Sequence, residues 1–410
     1  MTKQEFYCRS CDSDKIHPIL DLGETPLANG LLLSEQLAQP EPIYPLELVF
    51  CENCTLVQIT ESVSPDELFS DYVYFSSFSD TLLVHSKTLV ESLIARRNLD
   101  ENSLVVEIAS NDGYLLQNYH QVGIPVLGVE PAQNIATVAQ EKGIRTLPEF
   151  FGEEVAARLL AENELADVIH ANNVMAHVPD INGVVKGFQT ILKPEGIIVS
   201  ESPYVKDLID QVEFDTIYHE HLFYYSLTAQ DKLFARHGLT LFDVERLSIH
   251  GGSLRIYAGH ADSVKRTDRL KALLAEEQRW GVQYIDFYAN FGQRVKALKT
   301  QLRALVAQYK QGGASIAAYG ASAKGSTLLN YFGIGAEILD FVADRSTVKQ
   351  GYYTPGTRLP IVNPDYLLEK QPDYVLLLVW NFADEILKQQ AAYREKGGKF
   401  IIPIPEVQVL

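Results

Sequence analysis

One short segment of the chain concentrates side chains that can accept and donate protons. Residues 216–226 read TIYHEHLFYYS and contain two histidines, one glutamate and three tyrosines. Histidine titrates near neutrality and is the best-matched general base among these residue types. The segment therefore predicts a site of proton transfer, and the alternative is a buried, hydrogen-bonded network that does no chemistry.

The conformation of this segment decides which side chains act together. On a helical turn, Tyr218 and His221 would share one face because they are three residues apart. In an extended strand, Tyr218 and Glu220 would lie opposite His219 and His221. A metal site at residues 219–221 would lack the H-E-x-x-H spacing of helical zinc sites, and we expect His219 to be structural.

The start of the chain holds all four cysteines, as Cys8-Arg-Ser-Cys11 and Cys51-Glu-Asn-Cys54. Two such pairs can supply four thiolates to a closed, tetrahedral structural zinc site. The insert between the pairs is longer than in compact zinc ribbons, so we expect it to loop out. Disulfides or free thiols are the alternative, which a cytosolic chain with reduced thiols disfavours. We predict a zinc-binding domain over residues 1–70, with these cysteines as the ligands of Zn²⁺.

A strand followed by an acid and a small-residue turn opens a doubly wound α/β domain, in which ligands lie at the strand ends. Residues 104–119 read LVVEIASNDGYLLQNY. The turn resembles the E-x-G-x-G-x-G loop of class I S-adenosylmethionine methyltransferases, with Ala109 and Asn111 in the first two glycine positions. An alanine can replace the first glycine if its φ stays negative. The second strand ends in Glu130, which can accept hydrogen bonds from both hydroxyls of a ribose.

Further strands are predicted within residues 166–180 and 191–203, and the S-adenosylmethionine domain is expected to cover residues 71–245. NAD is the nearest alternative ligand, but the loop lacks the glycines that let a backbone approach a pyrophosphate. An α/β core without a cofactor is the other alternative. The residues expected to bind S-adenosylmethionine are Glu107, Ala109, Ser110, Asn111, Gly113, Glu130, Pro131, Asn172 and Asn173.

The last part of the chain, residues 246–410, predicts a second, smaller parallel sheet. Residues 263–311 carry apolar side chains at helical spacing and predict two helices, and four strand-like segments follow. The turn Gly320-Ala-Ser-Ala-Lys-Gly-Ser has its lysine before the second glycine, which is the wrong order for a P-loop. Asp344 at the end of the next strand keeps NAD as an alternative, and a plain tight turn is another. We predict that the turn binds a diphosphate where a helix begins.

The whole chain has 410 residues, a hydrophobic content of 46% and a net charge of −18. Its length predicts two or three domains. The acidic charge argues against a nucleic-acid partner, and the flanks of the cysteine pairs lack the basic residues of a ribbon-bearing RNA methyltransferase. The longest apolar run, residues 374–380, fits a buried strand and not a membrane span. With no targeting segment visible at the N-terminus, we expect a cytoplasmic monomer without membrane or nucleic-acid partners.

Several motifs together, in their order along the chain, resemble one family. The chain is similar to the sugar C-methyltransferases, which act on nucleotide-linked 4-keto deoxysugars. The motifs that carry the resemblance are the cysteine pairs, EIASNDGYLL, VEP, EFDTIYHEHLFYYS, HGGSLR and YGASAKGSTLLNYFG. They span essentially the whole chain, and the YHEH string and the YGASAKG turn are the most specific of them.

The resemblance implies three domains: a zinc-binding N-terminal domain, a central S-adenosylmethionine domain and a C-terminal Rossmann-like domain without a dinucleotide. The C-terminal domain would help to hold the thymidine diphosphate of a dTDP-linked keto-deoxysugar, the implied substrate. The catalytic residues implied beside the sugar are Tyr218, Glu220 and His221, with His177 from the cofactor domain.

A tyrosine from the string YVYFSSFSD is also expected to reach the sugar, and we choose Tyr72 over Tyr74 as the catalytic one. The glycine pair of HGGSLR is expected to line a cleft at the domain junction, because no G-x-S-x-G elbow is present to support an esterase. The residues expected to contact the substrate are Tyr74, Ser253, Arg255, Gly320, Ser322, Ala323, Lys324 and Ser326.

The predicted reaction is methylation at C3 of the sugar through an enolate. Carbon beside a ketone becomes nucleophilic by losing a proton, which needs a base and a group that holds the developing oxyanion. We predict that His221 removes the C3 proton, that Tyr218 donates to the C4 oxygen or relays the proton, and that Glu220 orients an imidazole or binds a sugar hydroxyl or amine. In-line methyl transfer then requires mainly alignment. N- or O-methylation and a non-catalytic binding scaffold are the alternatives.

Overall fold

A computed structural model describes residues 6–64, residue 68 and residues 75–410 of the chain. The strands, numbered in chain order, are β1 (Ile16–Thr25), β2 (Tyr44–Cys51), β3 (Val57–Ile59), β4 (Val105–Ile108), β5 (Val126–Val129), β6 (Thr146–Leu147), β7 (Ala166–Asn172), β8 (Leu192–Pro203), β9 (Phe223–Tyr224), β10 (Leu239–Leu247), β11 (Ser253–His260), β12 (Ile316–Tyr319), β13 (Val342–Ala343), β14 (Ile361–Val362), β15 (Tyr374–Leu377), β16 (Lys399–Ile402) and β17 (Gln408–Val409).

The α-helices of the same residues are numbered in chain order as well. They are α1 (Asp80–Arg97), α2 (Leu116–His120), α3 (Gln133–Glu141), α4 (Glu153–Ala161), α5 (Ile181–Ile191), α6 (Val205–Asp210), α7 (Leu227–Arg236), α8 (Asp268–Trp280), α9 (Phe291–Gln311), α10 (Ala323–Phe332), α11 (Tyr366–Lys370), α12 (Ala383–Gln389) and α13 (Ala391–Glu395). None of these helices has the length and apolar character needed to cross a lipid bilayer.

The N-terminal sheet has the strand order β1–β2–β3–β9 and is antiparallel throughout. Apolar residues of β1 and β2 point into the core, among them Leu20, Leu22, Leu46 and Leu48. The insert between the cysteine pairs, which we expected to loop out, therefore contains an antiparallel hairpin. The fourth strand, β9, comes from the end of the YHEH segment, so that segment is joined to the N-terminal sheet.

The central sheet has the strand order β10–β11–β8–β7–β4–β5–β6. Strands β4 to β8 run parallel, and their apolar residues are buried, as in parallel sheets covered by helices on both faces. This arrangement confirms the predicted doubly wound domain. Strand β11 pairs antiparallel with both β8 and β10. The central sheet therefore extends to His260, past the boundary that we placed at residue 245.

The C-terminal sheet has the strand order β14–β13–β12–β15–β16–β17 and is parallel except at β17. The four predicted strand segments correspond to β12, β13, β15 and β16, and α8 and α9 confirm the two helices expected in residues 263–311. Helix α10 starts after β12, beside the point where the strand order reverses between β12 and β15. In open α/β sheets such reversal points are the usual ligand crevice.

Aromatic contacts join the three domains. Phe50 of β2 lies 5.2 Å, between ring centroids, from Tyr288 of the C-terminal part. Phe214, which precedes the YHEH string, stacks on Phe332 of α10 at 4.9 Å. All three phenylalanines are fully buried, so the core of the protein is continuous across the domain junctions. The candidate site described next lies at the meeting point of the three domains.

Candidate active site

The string at residues 218–221 forms a tight turn. The amide of His221 donates a 2.8 Å hydrogen bond to the carbonyl of Tyr218, so the backbone is turned and not extended. The hydroxyl of Tyr218 lies 2.9 Å from Nε2 of His221, and the two ring centroids are 4.1 Å apart. Of the two conformations considered from the sequence, the structure has the one in which these two side chains lie together.

The backbone fixes the tautomer of His221. Its Nδ1 lies 2.9 Å from the carbonyl oxygen of Thr216. A carbonyl oxygen only accepts hydrogen bonds, so Nδ1 carries the proton and donates it. In the neutral ring Nε2 then bears the lone pair, and the hydroxyl of Tyr218 donates to it. Nε2 is therefore the basic atom of the pair.

A second imidazole, that of His177, lies beside the first. The His177 and His221 centroids are 4.8 Å apart, with the ring planes at 73°. The amide of Leu222 donates a 2.7 Å hydrogen bond to the carbonyl of Ala176, which holds the turn against the loop after β7. Burial lowers the pKa of His177 to about 4, although a hydrogen bond with the Glu220 backbone opposes that shift. His177 is consequently neutral at physiological pH.

Glu220 interacts with residues of both the N-terminal and the C-terminal domain. Asn29 of the N-terminal domain donates a 2.6 Å hydrogen bond to its Oε1. Burial raises the pKa of Glu220 to about 7, while the Asn29 hydrogen bond and the positive charge of Lys349 oppose the rise. Lys349 also donates to the carbonyl of Ala321 at 2.8 Å. A carboxyl group that titrates near neutrality in a cleft is typical of functional sites.

Sequence reasoning missed Asn29 and Lys349. Each stands alone in the chain, outside any recognisable motif, and only the packing of the three domains brings them to Glu220. The neighbouring His219 matches its structural expectation, because its Nε2 lies 3.1 Å from the carbonyl of Pro45 and its ring packs edge-on against Tyr44. His219 thus anchors the turn to the N-terminal sheet.

The loop after β4 adopts left-handed backbone conformations. Gly113 has a φ of +77°, as expected for a glycine, but Ala109 has +50° and Asn111 has +49°. The condition under which an alanine would replace this glycine without strain, a negative φ, is therefore not met, and Ala109 has a conformation that L-residues other than asparagine rarely adopt. Asn173, in the loop after β7, has a φ of +57°. Strain of this kind clusters at ligand-binding loops.

Glu130 ends β5 and holds this loop in place. One of its carboxylate oxygens accepts from the amide of Asn111 (3.0 Å), and the other reaches past Pro131 to accept from the amide of Ala132 (2.9 Å). Burial raises the pKa of Glu130, and the two amides oppose the rise. Each oxygen retains a second acceptor position, so the predicted contact with ribose hydroxyls is compatible with these bonds.

Several buried polar atoms around the loop lack a hydrogen-bond partner among the described residues. They are Oε2 of Glu107, Oγ of Ser110 and Oδ1 of Asn172. Burial raises the pKa of Glu107 well above its usual range. Ser110 packs on Gly128 of β5, where an added methyl group would come within 2.4 Å of its Oγ. Buried polar groups normally have partners, so these atoms at the ends of β4 and β7 fit a polar ligand such as S-adenosylmethionine.

The segment before α1 approaches the same loop. The amide of Ser76 donates a 2.8 Å hydrogen bond to the side-chain oxygen of Asn111. Tyr72 and Tyr74, which we predicted to reach the substrate, lie outside the described residues. The chain on their C-terminal side therefore runs beside the candidate cofactor loop.

Ser253 and Arg255, both predicted to contact the substrate, lie in β11 of the central sheet. The guanidinium of Arg255 is buried between Glu201 (2.6 Å) and Glu245 (2.8 Å), and it lies 3.1 Å from Nε2 of His85. The hydroxyl of Ser253 is buried and donates to a backbone carbonyl. These partners tie β11 to β8, β10 and α1.

The turn after β12 depends on its small residues. Gly320 has a φ of +95°, and a methyl group there would come within 2.5 Å of Val379. Asp344, the acid considered for a NAD ribose, accepts from the amide of Ala321 at 2.7 Å. Ser322 caps α10, because its Oγ accepts from the third amide of the helix at 3.1 Å. The remaining members of the predicted turn are Ala323, Lys324 and Ser326, in the first turn of α10.

The ammonium group of Lys324 points into the protein. Its Nζ is buried without a hydrogen-bond partner among the described residues and lies 5.1 Å from the centroid of the Trp380 ring. Burial raises the pKa of both Glu213 and Asp215, and the positive charge of Lys324 opposes the rise at each. Lys324, which we predicted to bind a diphosphate, thus lies within electrostatic range of two buried carboxyl groups.

The four cysteine sulfur atoms lie within 4.8 Å of one another. The sulfurs of Cys8 and Cys54 are 3.5 Å apart and those of Cys11 and Cys51 are 3.6 Å apart, far longer than the roughly 2.05 Å of a disulfide bond. Side-chain amides donate to two of the sulfurs, as suits thiolates: Gln58 to Cys8 (3.1 Å) and Asn53 to Cys11 (3.3 Å). The cluster fits a structural zinc ion.

Three family models match the chain in succession. Residues 8–69 match the family described as "Putative zinc binding domain", residues 85–244 that described as "Methyltransferase domain", and residues 248–405 that described as "C-methyltransferase C-terminal domain". The C-methyltransferase NovU of Streptomyces niveus is 38% identical to this chain over 404 residues, which cover 98% of this chain and 96% of NovU.

Two solved structures each resemble a part of the chain. The PH0226 protein from Pyrococcus horikoshii OT3 is 16% identical, covers 46% of this chain and 94% of its own, and has a TM-score of 0.37. The CcbJ methyltransferase from Streptomyces caelestis is 13% identical, covers 43% of this chain and 89% of its own, and has a TM-score of 0.35.

Proposed function

Because the chain belongs to the S-adenosylmethionine-dependent C-methyltransferases, we propose that it methylates C3 of a dTDP-linked 4-keto deoxysugar in deoxysugar biosynthesis. The observation that carries this proposal is the Tyr218–His221 pair, with its fixed tautomer, beside His177 and Glu220. A positioned base beside a phenol suits the removal of a proton from carbon. Methylation of an oxygen or nitrogen atom would require no enolate.

In this proposal the proton leaves C3 through Tyr218. The phenolic oxygen takes the C3 proton while the phenol hydrogen passes to Nε2 of His221. The C3–H bond breaks, its electron pair enters the enolate, and the imidazole becomes an imidazolium. The carbonyl of Thr216 keeps its hydrogen bond from Nδ1 and stabilises that cation. The relay is supported by the 2.9 Å contact, since the phenol lies on the lone pair that would otherwise take the proton directly.

Two further residues act on the sugar in this scheme. His177, whose pKa burial lowers to about 4, stays neutral and can donate a hydrogen bond to the C4 oxygen as negative charge develops there. Glu220, held by Asn29, binds a sugar hydroxyl or amine. Glu220 lies in the turn at residues 218–221, and the amide that follows this turn is hydrogen-bonded to the loop that carries His177.

S-adenosylmethionine, when bound, supplies an electrophilic methyl group. The residues that would hold it are those of the loop from Glu107 to Gly113, with Glu130 and Asn172 at the neighbouring strand ends. Their role is to bind and orient, because in-line transfer to a preformed enolate depends mainly on alignment. The zinc ion has no part in the chemistry, since four thiolates leave no open coordination position.

We place the substrate diphosphate at the turn of residues 320–326. The first two amides of α10 are available to an anion there, in the crevice where the strand order reverses, while the third donates to Ser322. Lys349 adds a positive charge beside the same turn, where it donates to the carbonyl of Ala321. Lys349 thereby takes the electrostatic role that the sequence suggested for Lys324.

The test is to incubate the enzyme with methyl-labelled S-adenosylmethionine and a panel of dTDP-4-keto sugars, and to locate the labelled methyl group by NMR. We expect the label on C3, and exchange of the C3 hydrogen for solvent deuterium. A label on oxygen or nitrogen without exchange would show an O- or N-methyltransferase. Absence of transfer to every sugar in the panel would refute the proposed substrate class.

A further inference from the structure

The C-terminal domain reaches the backbone that sets the tautomer of His221. Trp380, which follows β15, donates a 2.7 Å hydrogen bond from its indole nitrogen to Oδ2 of Asp215. Asp215 has no solvent exposure. The next residue, Thr216, supplies the carbonyl that accepts from Nδ1 of His221 at 2.9 Å. One peptide unit therefore separates the contact with Trp380 from the contact with the base.

The segment between these contacts is short and firmly held. Phe214, Asp215 and Thr216 form a single 3₁₀ turn, so a shift of Asp215 is transmitted to the Thr216 carbonyl. Phe214 stacks on Phe332 of α10, and the ammonium of Lys324 lies over the Trp380 ring. The C-terminal domain thus contacts this turn through an indole and an aromatic stack, and the buried cation of Lys324 acts on Asp215 through its charge.

We propose that Trp380 is a positioning residue for the base: its hydrogen bond to Asp215 sets the Thr216 carbonyl so that His221 keeps its proton on Nδ1 and its lone pair on Nε2. The bond joins the domain proposed to hold the nucleotide to the turn that carries the base. Lys324 stabilises this arrangement in two ways: its ammonium lies over the ring of Trp380, and its positive charge attracts the carboxyl group of Asp215. A misplacement of about 1 Å in such a constellation can cost about 10²-fold in rate.

The expected effect of Trp380 on turnover rests on the proposed function, but its expected effect on the tautomer of His221 does not. We would label the histidine side chains with ¹⁵N, assign His221 by comparison with His221→Asn, and record long-range ¹H–¹⁵N spectra of the whole protein. The wild type should show His221 protonated on Nδ1. Trp380→Phe, which keeps an aromatic ring beneath Lys324 but removes the donor, should show a mixture of the two neutral tautomers.

The matched control is Trp280→Phe. Trp280 is the other tryptophan of the chain, and it too lies against a lysine, with Nζ of Lys206 4.6 Å from its ring centroid. This variant should keep the wild-type His221 spectrum. Asp215→Asn retains an oxygen that accepts from the indole, so it should keep the Nδ1-protonated form if the hydrogen bond, and not the negative charge, is what matters.

In the methyl-transfer assay we expect Trp380→Phe to lower kcat about tenfold, with the sugar KM changed by less than about twofold. A wild-type His221 spectrum in Trp380→Phe would overturn the inference, and so would a fall in melting temperature with the tautomer unchanged, because that result would make the tryptophan merely structural. If no dTDP-keto sugar is methylated even by the wild type, the proposed function fails while the spectra still decide the role of Trp380.

Discussion

The side-chain amide of Asn29 lies 2.6 Å from the carboxyl group of Glu220, across 191 residues of sequence. The N-terminal domain thus contributes directly to the candidate active site and is more than a support for it. Because the contact joins a neutral donor to a buried acid, it also influences the charge of that acid. The pH dependence of stability is where this influence can be measured.

Glu220→Gln should make the protein less sensitive to pH. The folded-state pKa of Glu220 is about 7, against an ordinary value of 4.5, because burial disfavours the carboxylate. Below pH 4.5 the acid is protonated in both the folded and unfolded states, and its contribution is fully present. Between pH 4.5 and about 7 the acid ionises in the unfolded state only, so stability is lost as the pH rises, by up to about 3 kcal/mol.

Melting temperatures at pH 5 and pH 8 check this prediction. Relative to the wild type, Glu220→Gln should gain stability as the pH rises, by up to that amount. The control is Glu162→Gln, at an exposed position, which should follow the wild type at both pH values. Equal behaviour of Glu220→Gln and the wild type would mean that the buried acid is not protonated near neutrality.

His221→Asn should lower turnover by about 10²–10⁴-fold, the usual contribution of a general base. Tyr218→Phe should lower turnover by a factor in the same range, because the phenol is the proposed relay to Nε2. Binding of S-adenosylmethionine, measured by calorimetry, should be unchanged in both variants. His17→Asn, which alters a partly exposed histidine paired with Glu52, is the control and should retain wild-type turnover. Unchanged solvent exchange at C3 in His221→Asn would remove this histidine from the reaction.

Removal of zinc should inactivate the enzyme as well as destabilise it. The four cysteine sulfurs hold the ends of β1, β2 and β3 together, and β3 pairs with β9, which directly follows the turn at residues 218–221. A chelator should therefore abolish turnover in parallel with loss of bound metal, measured by elemental analysis, and should lower the melting temperature. Cys54→Ser should behave in the same way. Full activity of a metal-free protein would contradict the structural role.

Ala109→Gly should stabilise the protein by roughly 0.5–1 kcal/mol. At a φ of +50° an alanine costs about 1–2 kcal/mol, which a glycine avoids, although glycine loses more backbone entropy on folding. Ala156→Gly, within helix α4, is the opposing control and should destabilise by about 1 kcal/mol or more. Thermal unfolding of both variants provides the comparison. A lower melting temperature for Ala109→Gly would show that its methyl group makes contacts worth more than the strain.

Sequence patterns could predict what depends on local spacing. The two cysteine pairs, the strand ending in Glu130 and the pairing of Tyr218 with His221 are all set by residues close together in the chain. The left-handed φ of Ala109 could not be predicted, because the surrounding loop overrides the preference of the residue. Nor could the return of β11 to the central sheet, since an antiparallel edge strand looks the same in sequence whichever sheet it joins.

The residues that complete the site could not be predicted from the sequence, for a related reason. Asn29, Lys349 and Trp380 each belong to a different stretch of chain and carry no motif of their own. Their contacts with Glu220, Ala321 and Asp215 exist only after the three domains have packed together. Likewise, the ammonium of Lys324 points into the protein because of the way the domains pack. The spacing of residues in the sequence gives no information about this direction.

The two-residue strand β9 has a consequence for protein engineering. Because it completes the sheet of the cysteine-bearing domain from within the methyltransferase half, that domain is not a detachable module. A chimaera that exchanges residues 1–70 between two relatives would inherit a mismatched sheet edge unless residues 216–226 were exchanged with them. Grafting both segments together is the natural unit of recombination in this architecture.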